Sequence, residues 1–155
     1  MPHSSRALKR FNHLLSEIDA SYHEVAVRLG LPDSVMQILY TICDYDSGFR
    51  CPLREVCIRT GISKQTINSA LRRLEAEGIV YLERADAKHK DICLTEQGIR
   101  LAERTAVRVM EAEDAVLAAW PRKDVETYLA LTEKYLTAFR KETETLHLEQ
   151  ELRDP

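Results

Sequence analysis

The sequence contains no long hydrophobic run and no recognisable secretion signal. Its longest unbroken apolar stretch, Ala115–Trp120, has six residues, whereas a membrane-spanning helix needs about 20. The basic residues near the start are not followed by an apolar segment or a small-residue cleavage site, which argues against a signal peptide. We therefore expect a cytoplasmic protein with no membrane partner.

Cysteine pairs and metal-ligand clusters are also missing. The four cysteines, Cys43, Cys51, Cys57 and Cys93, form no Cys-x-x-Cys pair, and such spacing is typical of reduced thiols. Cys43 and Cys51 flank a predicted loop, and a disulfide between them on oxidation is one hypothesis. Cys57 is either a small core residue or a redox sensor. The histidines have no cysteine or acidic partner at metal-ligand spacing, so we predict neither a metal site nor a cofactor.

Motifs of the common enzyme classes do not occur either. There is no Gly-rich phosphate-binding loop, no Gly-x-Ser-x-Gly turn and no acidic pair with an evident base. A catalytic Cys/His pair stays open, but no residue is singled out for it. The sequence therefore predicts a protein that is not an enzyme.

Charge is distributed unevenly along the 155 residues, whose formal net charge is −3. Residues 50–90 hold nine Lys/Arg and five Asp/Glu, which gives +4, while residues 1–49 and 91–155 carry −2 and −5. A basic region between acidic flanks suits a phosphate backbone, although this charge alone is weak support. The composition, with 45% hydrophobic and 30% charged residues, is that of a globular chain.

The first predicted element is a long helix from about Ser5 to Leu29. Apolar residues recur along it at alternating spacings of three and four: Leu8, Phe11, Leu15, Ile18, Tyr22, Val25 and Leu29. This 3.5-residue period is typical of a helix that packs along another long helix. The stripe therefore faces either a second chain or the core of its own domain.

Further elements are predicted on both sides of the basic region. In chain order they are a helix over Asp33–Cys43, a loop over Asp44–Gly48, a helix capped by Thr95 that continues to Trp120, a last helix over Arg122–Leu148 and a frayed tail over Glu149–Pro155. The apolar residues of the first of these helices are predicted to face inward: Val35, Ile38, Leu39 and Ile42.

The basic region itself predicts a helix-turn-helix followed by a hairpin. Helices are indicated over Leu53–Thr60 and Lys64–Glu77, and strands over Ile79–Arg84 and Lys90–Leu94. Gly61 suits a turn that needs positive φ, and the Ser63 hydroxyl suits the cap of the second helix. One face of that helix is apolar: Ile62, Ile67, Ala70, Leu71 and Leu74. The other face offers donors and acceptors for base edges and phosphates: Lys64, Gln65, Thr66, Asn68, Ser69, Arg72 and Arg73.

The run ISKQTINSALRRLEAEGIVYLERADAKHKDICLTEQG resembles the MarR family of bacterial winged-helix regulators. The residues that carry the family pattern are Leu74-Glu75, Gly78-Ile79-Val80, Asp86, Leu94-Thr95 and Gly98. The resemblance implies a homodimer joined by its terminal helices, which binds double-stranded DNA and usually represses genes until a small effector binds or a cysteine is oxidised. It implies a recognition helix over Lys64–Glu77 in the major groove and a wing near the minor groove.

The wing departs from the family pattern at its tip. An arginine is usual there, and this sequence has Lys88, followed by His89 and Lys90. Lysine lacks the planar guanidinium fork, so we expect the wing to add affinity more than sequence preference. The family pattern also implies a brace between Arg73 and Asp86; the alternative is a solvated surface pair.

The sequence therefore predicts a mainly α fold with a small two-stranded antiparallel wing. We expect an N-terminal dimerisation helix over residues 1–31, a winged helix-turn-helix over 32–98 and C-terminal dimerisation helices over 99–155. The predicted DNA contacts are Ser63, Lys64, Gln65, Thr66, Asn68, Ser69, Arg72, Arg73, Lys88, His89 and Lys90. A candidate effector pocket comprises Arg10, His13, Tyr40 and Tyr45. The alternative is a winged helix that binds proteins and has no sequence-specific DNA affinity.

Overall fold

The computed structural model describes residues 3–45 and 48–151, with side chains described up to residue 146. Within these residues the chain forms seven helices and three strands. In chain order they are α1 (Arg6–Arg28), α2 (Asp33–Asp44), β1 (Arg50–Pro52), α3 (Leu53–Thr60), α4 (Lys64–Ala76), β2 (Val80–Arg84), β3 (Lys90–Leu94), α5 (Glu96–Arg104), α6 (Ala106–Ala118) and α7 (Arg122–Glu151). The predicted winged helix-turn-helix between long terminal helices is confirmed.

Helices α1 and α2 differ in how much of their apolar surface the chain covers. The Ser5 hydroxyl accepts from the Leu8 amide and starts α1, but Ala26 is the one buried residue within this helix. In contrast, α2 lies in the core, and its four predicted inward residues are all buried. α2 therefore supplies the centre of the fold, whereas most of the α1 stripe stays uncovered in the single chain.

Both helices of the helix-turn-helix begin where the sequence predicts, and α3 also ends there, whereas α4 ends at Ala76, one residue before the predicted Glu77. Gly61 ends α3 with φ of 64°, a left-handed conformation that costs glycine little. The Ser63 hydroxyl then accepts from the Thr66 amide and caps α4. Ile67, Leu71 and Leu74 are buried and hold α4 against the core. The face opposite them is consequently turned outward.

The sheet has three strands in the order β1-β3-β2, and both pairings are antiparallel. Arg50 lies opposite Cys93 in one pair, and Val80 lies opposite Leu94 in the other. One face of the sheet packs on the core through Cys51, Ile92 and other apolar residues. The strand β1 was not predicted, so the sheet has one strand more than the two-stranded wing that the sequence indicated.

The Leu94-Thr95-x-x-Gly98 motif fastens α5 to the start of β2. The Thr95 hydroxyl donates to the Gly78 carbonyl at 2.6 Å and accepts from the Gly98 amide at 3.0 Å. A Cβ on Gly98 would stand 2.0 Å from the Ile79 carbonyl oxygen, a distance that no side chain tolerates. The motif thus fixes the wing relative to the following helix.

Several predicted boundaries need correction. The single helix from Thr95 to Trp120 is two helices, because Thr105 leaves helical geometry at φ −127° and ψ −89°. Thr105 is buried, and its hydroxyl donates to the Leu101 carbonyl. The helix α2 includes Asp44, and α7 continues to Glu151 instead of ending at Leu148. Of the predicted loop and frayed tail, residues 46–47 and 152–155 lie outside the described residues.

The chain divides into two compact units, residues 1–111 and 112–155. The second unit contains the end of α6 and the whole of α7. Its aromatic ring contacts join residues that are close in sequence. Trp120 meets Tyr128 edge-on with centroids 5.5 Å apart, and Tyr135 stacks on Phe139 at 5.9 Å. Over the ranges that the structure describes, no helix has both the length and the hydropathy of a membrane span.

Candidate nucleic-acid interface

The outward face of α4 is the largest group of predicted DNA contacts. All but one of its predicted residues are exposed, and the exception, Asn68, is half-buried. Charge and hydrogen-bonding groups on this face point away from the core because Ile67, Ala70 and Leu74 anchor the opposite side. The arrangement therefore presents a polar and basic helix face without an acidic residue before Glu75.

Two of these side chains are partly engaged within the protein. The Ser63 hydroxyl donates to the Thr66 hydroxyl at 2.9 Å while accepting from the Thr66 amide at 3.2 Å. These bonds order the first turn of α4, so Ser63 and Thr66 have less freedom to bond a base. Lys64, Gln65 and Ser69 carry no such bond among the described residues, and they are the better candidates for reading base edges.

The predicted brace between Arg73 and Asp86 is wrong. Arg73 Nε donates to Glu77 Oε1 at 2.8 Å, a pairing that the four-residue spacing on one helix favours. Asp86 is occupied within its own turn, where Oδ1 accepts from the Lys88 amide at 2.8 Å and from the His89 amide at 2.9 Å. An aspartate whose side chain accepts hydrogen bonds from the amides two and three residues later forms an Asx-type turn. The position of an aspartate at the start of the predicted turn was the signal by which this contact could have been found.

The imidazole of His89 completes this wing turn. A carboxylate has no proton to give, so His89 Nδ1–H donates to Asp86 Oδ2 at 2.7 Å. The Lys88 amide and then the His89 side chain hold the pKa of Asp86 below its ordinary value. Lys88 and Lys90 stay exposed on either side. The turn therefore keeps two lysines outward while its one acidic group is bonded internally.

A brace exists at a different place, on the outer face of the sheet. Arg50 Nε donates to Asp91 Oδ2 at 2.8 Å, and its Nη1 lies 2.8 Å from Glu83 Oε2. Arg50, Asp91 and Glu83 belong to β1, β3 and β2 respectively, so one guanidinium joins all three strands. Sequence reasoning missed this contact because β1 itself was not predicted.

Arg84 is a second candidate that sequence reasoning missed. It lies directly opposite Lys90 in the β2–β3 register, and both side chains are exposed. Like charges at such a cross-strand position destabilise a sheet unless an anion lies nearby. With Lys88 at the tip, these two residues form a basic wing edge that suits phosphate oxygens.

A cleft of about 540 Å³ lies between α1 and α2, with Val109 of α6 at one side. Its other lining residues are Asp19, Tyr22, His23, Val25, Ala26, Asp33, Met36, Gln37 and Tyr40. Of the predicted effector residues, only Tyr40 lines this cleft. Arg10 and His13 come at least six residues before Asp19 on α1, and Tyr45 follows the end of α2.

The cysteines are free thiols throughout the described chain. Cys51 is buried and Cys43 half-buried, and burial raises the pKa of each thiol to about 11. Neither residue has the accessible, electropositive setting of a reactive thiolate, which weakens the hypothesis of an oxidisable pair. Cys57 is half-buried against the core. Across the residues that are described, no group of His, Cys, Asp and Glu could hold a metal ion.

Comparison with known proteins relates this geometry to one family. Residues 29–90, from the end of α1 to the start of β3, match the family model described as MarR family. Over this part of the chain the sequence is therefore similar to the MarR family. No curated protein matches the chain in sequence.

Solved structures share the MarR fold over most of the chain. NadR in complex with 4-hydroxyphenylacetate superposes with a TM-score of 0.67 at 17% identity, over 86% of this chain and 96% of NadR. A MarR-family regulator from Silicibacter pomeroyi gives 0.67 at 22% identity, over 86% and 89%. The S. aureus MepR–DNA complex gives 0.64 at 18% identity, over 88% and 99%. At these identities the likeness concerns the fold, which is that of MarR-family transcriptional regulators.

Proposed function

We propose that this chain is a DNA-binding transcription regulator of the MarR type that represses its target genes as a homodimer. The exposed polar and basic face of α4 carries the proposal, because a buried apolar face holds it outward beside a basic wing. The α4 face would enter the major groove of a pseudo-palindromic operator, and the wing would lie near the minor groove. The function needs no cofactor and no enzymatic activity.

The DNA contacts divide by chemistry into two groups. Gln65, Asn68 and Ser69 offer the amide and hydroxyl groups that read base edges, with Lys64 beside them. Arg72, Arg84, Lys88 and Lys90 offer positive charge for phosphates. Arg73 and His89 are engaged by Glu77 and Asp86, so their contribution to DNA affinity should be smaller.

Homodimerisation is supported by apolar surface that the single chain leaves exposed to water. The α1 stripe is exposed at Leu8, Leu15 and Ile18, by 40%, 43% and 47%. Helix α7 exposes an apolar set of its own: Tyr128, Leu129, Leu131, Tyr135, Leu136, Phe139 and Leu146. We therefore assign dimerisation to residues 1–31 and 99–155 and DNA binding to residues 32–98.

A small effector bound in the cleft between α1 and α2 would control DNA affinity. Support comes from the cleft itself, whose volume lies in the ordinary range for small-molecule sites. NadR, which shares the fold, binds 4-hydroxyphenylacetate, and MepR binds DNA. A regulator that binds chromosomal DNA would work in the cytoplasm, where effector and operator meet.

The test is binding to the DNA upstream of the chain's own gene, compared with a shuffled duplex of equal length. Specific binding at physiological salt is expected. Gln65→Ala should reduce discrimination between the two duplexes by about 1–3 kcal/mol, the usual value of one bidentate base contact. Lys88→Ala should weaken binding to both duplexes and lower the salt slope by about one.

Lys123→Ala is the matched control for Lys88→Ala, because it removes the same charge from α7 instead of the wing. It should leave the salt slope unchanged. Equal affinity for both duplexes would overturn the proposed regulator function and favour a winged helix that binds proteins. A Lys88→Ala variant with altered operator preference and an unchanged salt slope would contradict the role given to the wing.

A further inference from the structure

The cleft between α1 and α2 is built from matching faces of the two helices. Asp19, Tyr22, His23 and Ala26 lie on α1 at spacings of three and four, and so do Asp33, Met36, Gln37 and Tyr40 on α2. Each face therefore begins with an aspartate and continues into aromatic or apolar surface. This pattern sets the charge inside the cleft.

The lining carries two acidic groups and no fixed positive charge. Two carboxylates, from Asp19 and Asp33, face one imidazole, from His23, and the ten lining residues include no lysine or arginine. An anionic ligand would have to leave water for a site without a fixed positive charge, and such desolvation is costly. The lining therefore disfavours a carboxylate or phosphate ligand.

The two aspartates are not equivalent. His23 Nδ1–H donates to Asp33 Oδ2 at 2.7 Å, and Asp33 also lies in the first turn of α2, where the helix N-terminus favours negative charge. Asp19 has neither arrangement: it lies in the middle of α1 and has no ion-pair partner within the described residues. The Asp19 carboxylate is consequently the charge that a ligand could compensate.

The remaining lining suits the body of an organic cation. The faces of tyrosine rings attract alkylammonium groups, and Tyr22 and Tyr40 line opposite helices of the cleft. Met36 adds a polarisable side chain, and Val109 adds apolar surface from α6. Aromatic rings, soft apolar surface and an unpaired carboxylate together favour positively charged amphiphilic ligands.

We propose that this cleft binds an organic cation, an amine or quaternary ammonium compound with an aromatic or alkyl group. The proposal rests on the effector function proposed above and names the charge class of that effector. The ligand's cationic group pairs with Asp19 and its apolar part lies against the tyrosines. Such a ligand releases DNA only if it binds the DNA-free conformation more tightly than the DNA-bound one.

Three probes of similar size and different charge test this assignment on the full chain: benzyltrimethylammonium, benzyl alcohol and 4-hydroxyphenylacetate. Their dissociation constants are measured by calorimetry, and their sites by chemical-shift changes. The cation should bind most tightly and shift the resonances of Tyr22 and Tyr40. Asp19→Asn should weaken its affinity about fivefold, the upper range for one solvent-exposed ion pair. The same variant should leave benzyl alcohol unaffected.

Glu24→Gln is the matched control, because Glu24 lies on the same helix and is exposed but does not line the cleft. It should leave the affinity for the cation unchanged. Tighter binding of 4-hydroxyphenylacetate, equal losses in both variants, or no binding of any probe would overturn the cation assignment. Operator binding is measured in the same preparations without probe. Its loss would refute the regulator, whereas a regulator that binds its operator and prefers the anion would refute only the charge class.

Discussion

Arg50 joins the short strand β1 to the other two strands of the sheet. Its guanidinium contacts Asp91 on β3 and Glu83 on β2, and the side chain of Asp91 is only 14% exposed. Because β1 has three residues and one of them is Pro52, its ladder supplies few hydrogen bonds. Two ion-pair contacts from one side chain therefore add to the strand pairing and to the burial of Cys51 in holding this strand.

We predict that Arg50→Met loosens β1 without unfolding the helix-turn-helix. The Leu94 amide, which donates to the Phe49 carbonyl beside β1 at 2.9 Å, should exchange its hydrogen about fivefold faster, the factor that one well-formed surface ion pair supplies. The Thr95 amide donates to the Ile79 carbonyl near β2 and serves as the internal control. Arg50→Lys should give an intermediate rate, because it keeps the charge but loses the fork. Equal exchange at the Leu94 amide in all three proteins would contradict the role of Arg50.

The thiols of Cys43 and Cys51 should resist modification in the native protein. Burial raises the pKa of each to about 11, so at pH 8 little of the reactive thiolate is present. Iodoacetamide at pH 8 should alkylate both residues rapidly in denaturant and slowly in buffer, as followed by peptide mass spectrometry. Rapid native labelling, or loss of DNA affinity after mild peroxide, would restore the hypothesis of a redox switch.

The same shifts predict how stability depends on alkaline pH. In the unfolded chain these thiols ionise near their ordinary pKa of 9.0, whereas in the folded chain they stay protonated until about 11. Protons therefore leave the unfolded state first, and the free energy of unfolding falls as pH rises from 9 towards 11. Replacing Cys43 and Cys51 with alanine should flatten this part of the urea-midpoint profile between pH 8 and 11, even if it lowers stability at neutral pH.

The wing turn depends on how Asp86 binds backbone amides. Asp86→Ala and Asp86→Asn remove the same negative charge, but asparagine keeps one oxygen that can accept from Lys88 and His89. We predict roughly tenfold faster amide exchange at these two positions in the alanine variant than in the asparagine variant, by analogy with the loss of a helix cap. DNA affinity at fixed salt should also be lower for alanine, because the lysines lose their orientation. Identical exchange in both variants would contradict the turn.

The lowered pKa of Asp86 fixes the pH range in which the carboxylate orders the turn. A group whose pKa is depressed in the folded state stabilises the fold at any pH above its unfolded-state pKa, here 3.8. It loses that contribution as the pH falls through its folded-state pKa. The wing turn should therefore keep its order throughout the neutral range and down to pH 3.8.

The elements that sequence predicts well have their determinants within a few residues. Gly61 and Ser63 mark the turn of the helix-turn-helix by backbone conformation and by capping. The apolar spacing of Ile67, Leu71 and Leu74 shows which face of α4 is buried, and hence which face is outward. Such local rules need no knowledge of the rest of the chain.

Other features were missed, some because their partner is distant in sequence and some although it is near. The strand β1 exists because β3, some 40 residues later, offers a free edge, and the Arg50 brace follows from that pairing. The break at Thr105 carries neither glycine nor proline, so no local signal separates α5 from α6. The family pattern implies Asp86 as the partner of Arg73. The structure instead pairs Arg73 with Glu77, which lies four residues away on the same helix.

At the scale of the whole molecule, apolar surface is left open on helices of both compact units. In the first unit, Leu8, Leu15 and Ile18 of α1 are each at least 40% exposed. In the second, the exposed apolar residues of α7 are more numerous than a solvated helix needs. Water-exposed stripes of this length mark surfaces for association. Two DNA-binding lobes held in one dimer could then contact both halves of a palindromic operator.

We predict that Ile18→Glu on α1 converts the protein from dimer to monomer, because it places a charge in the middle of the stripe. Ala20→Glu is the matched control: it introduces the same side chain on the opposite side of α1, where the helix should stay solvated. Light scattering after size-exclusion chromatography reports the mass. The monomer should lose about 10²- to 10⁴-fold in affinity for the full operator, the range expected when two linked sites become independent. Its affinity for a single half-site should be unchanged, since α4 and the wing are intact. A dimeric Ile18→Glu variant, or full-operator affinity retained by the monomer, would show that α1 does not join the two DNA-binding lobes.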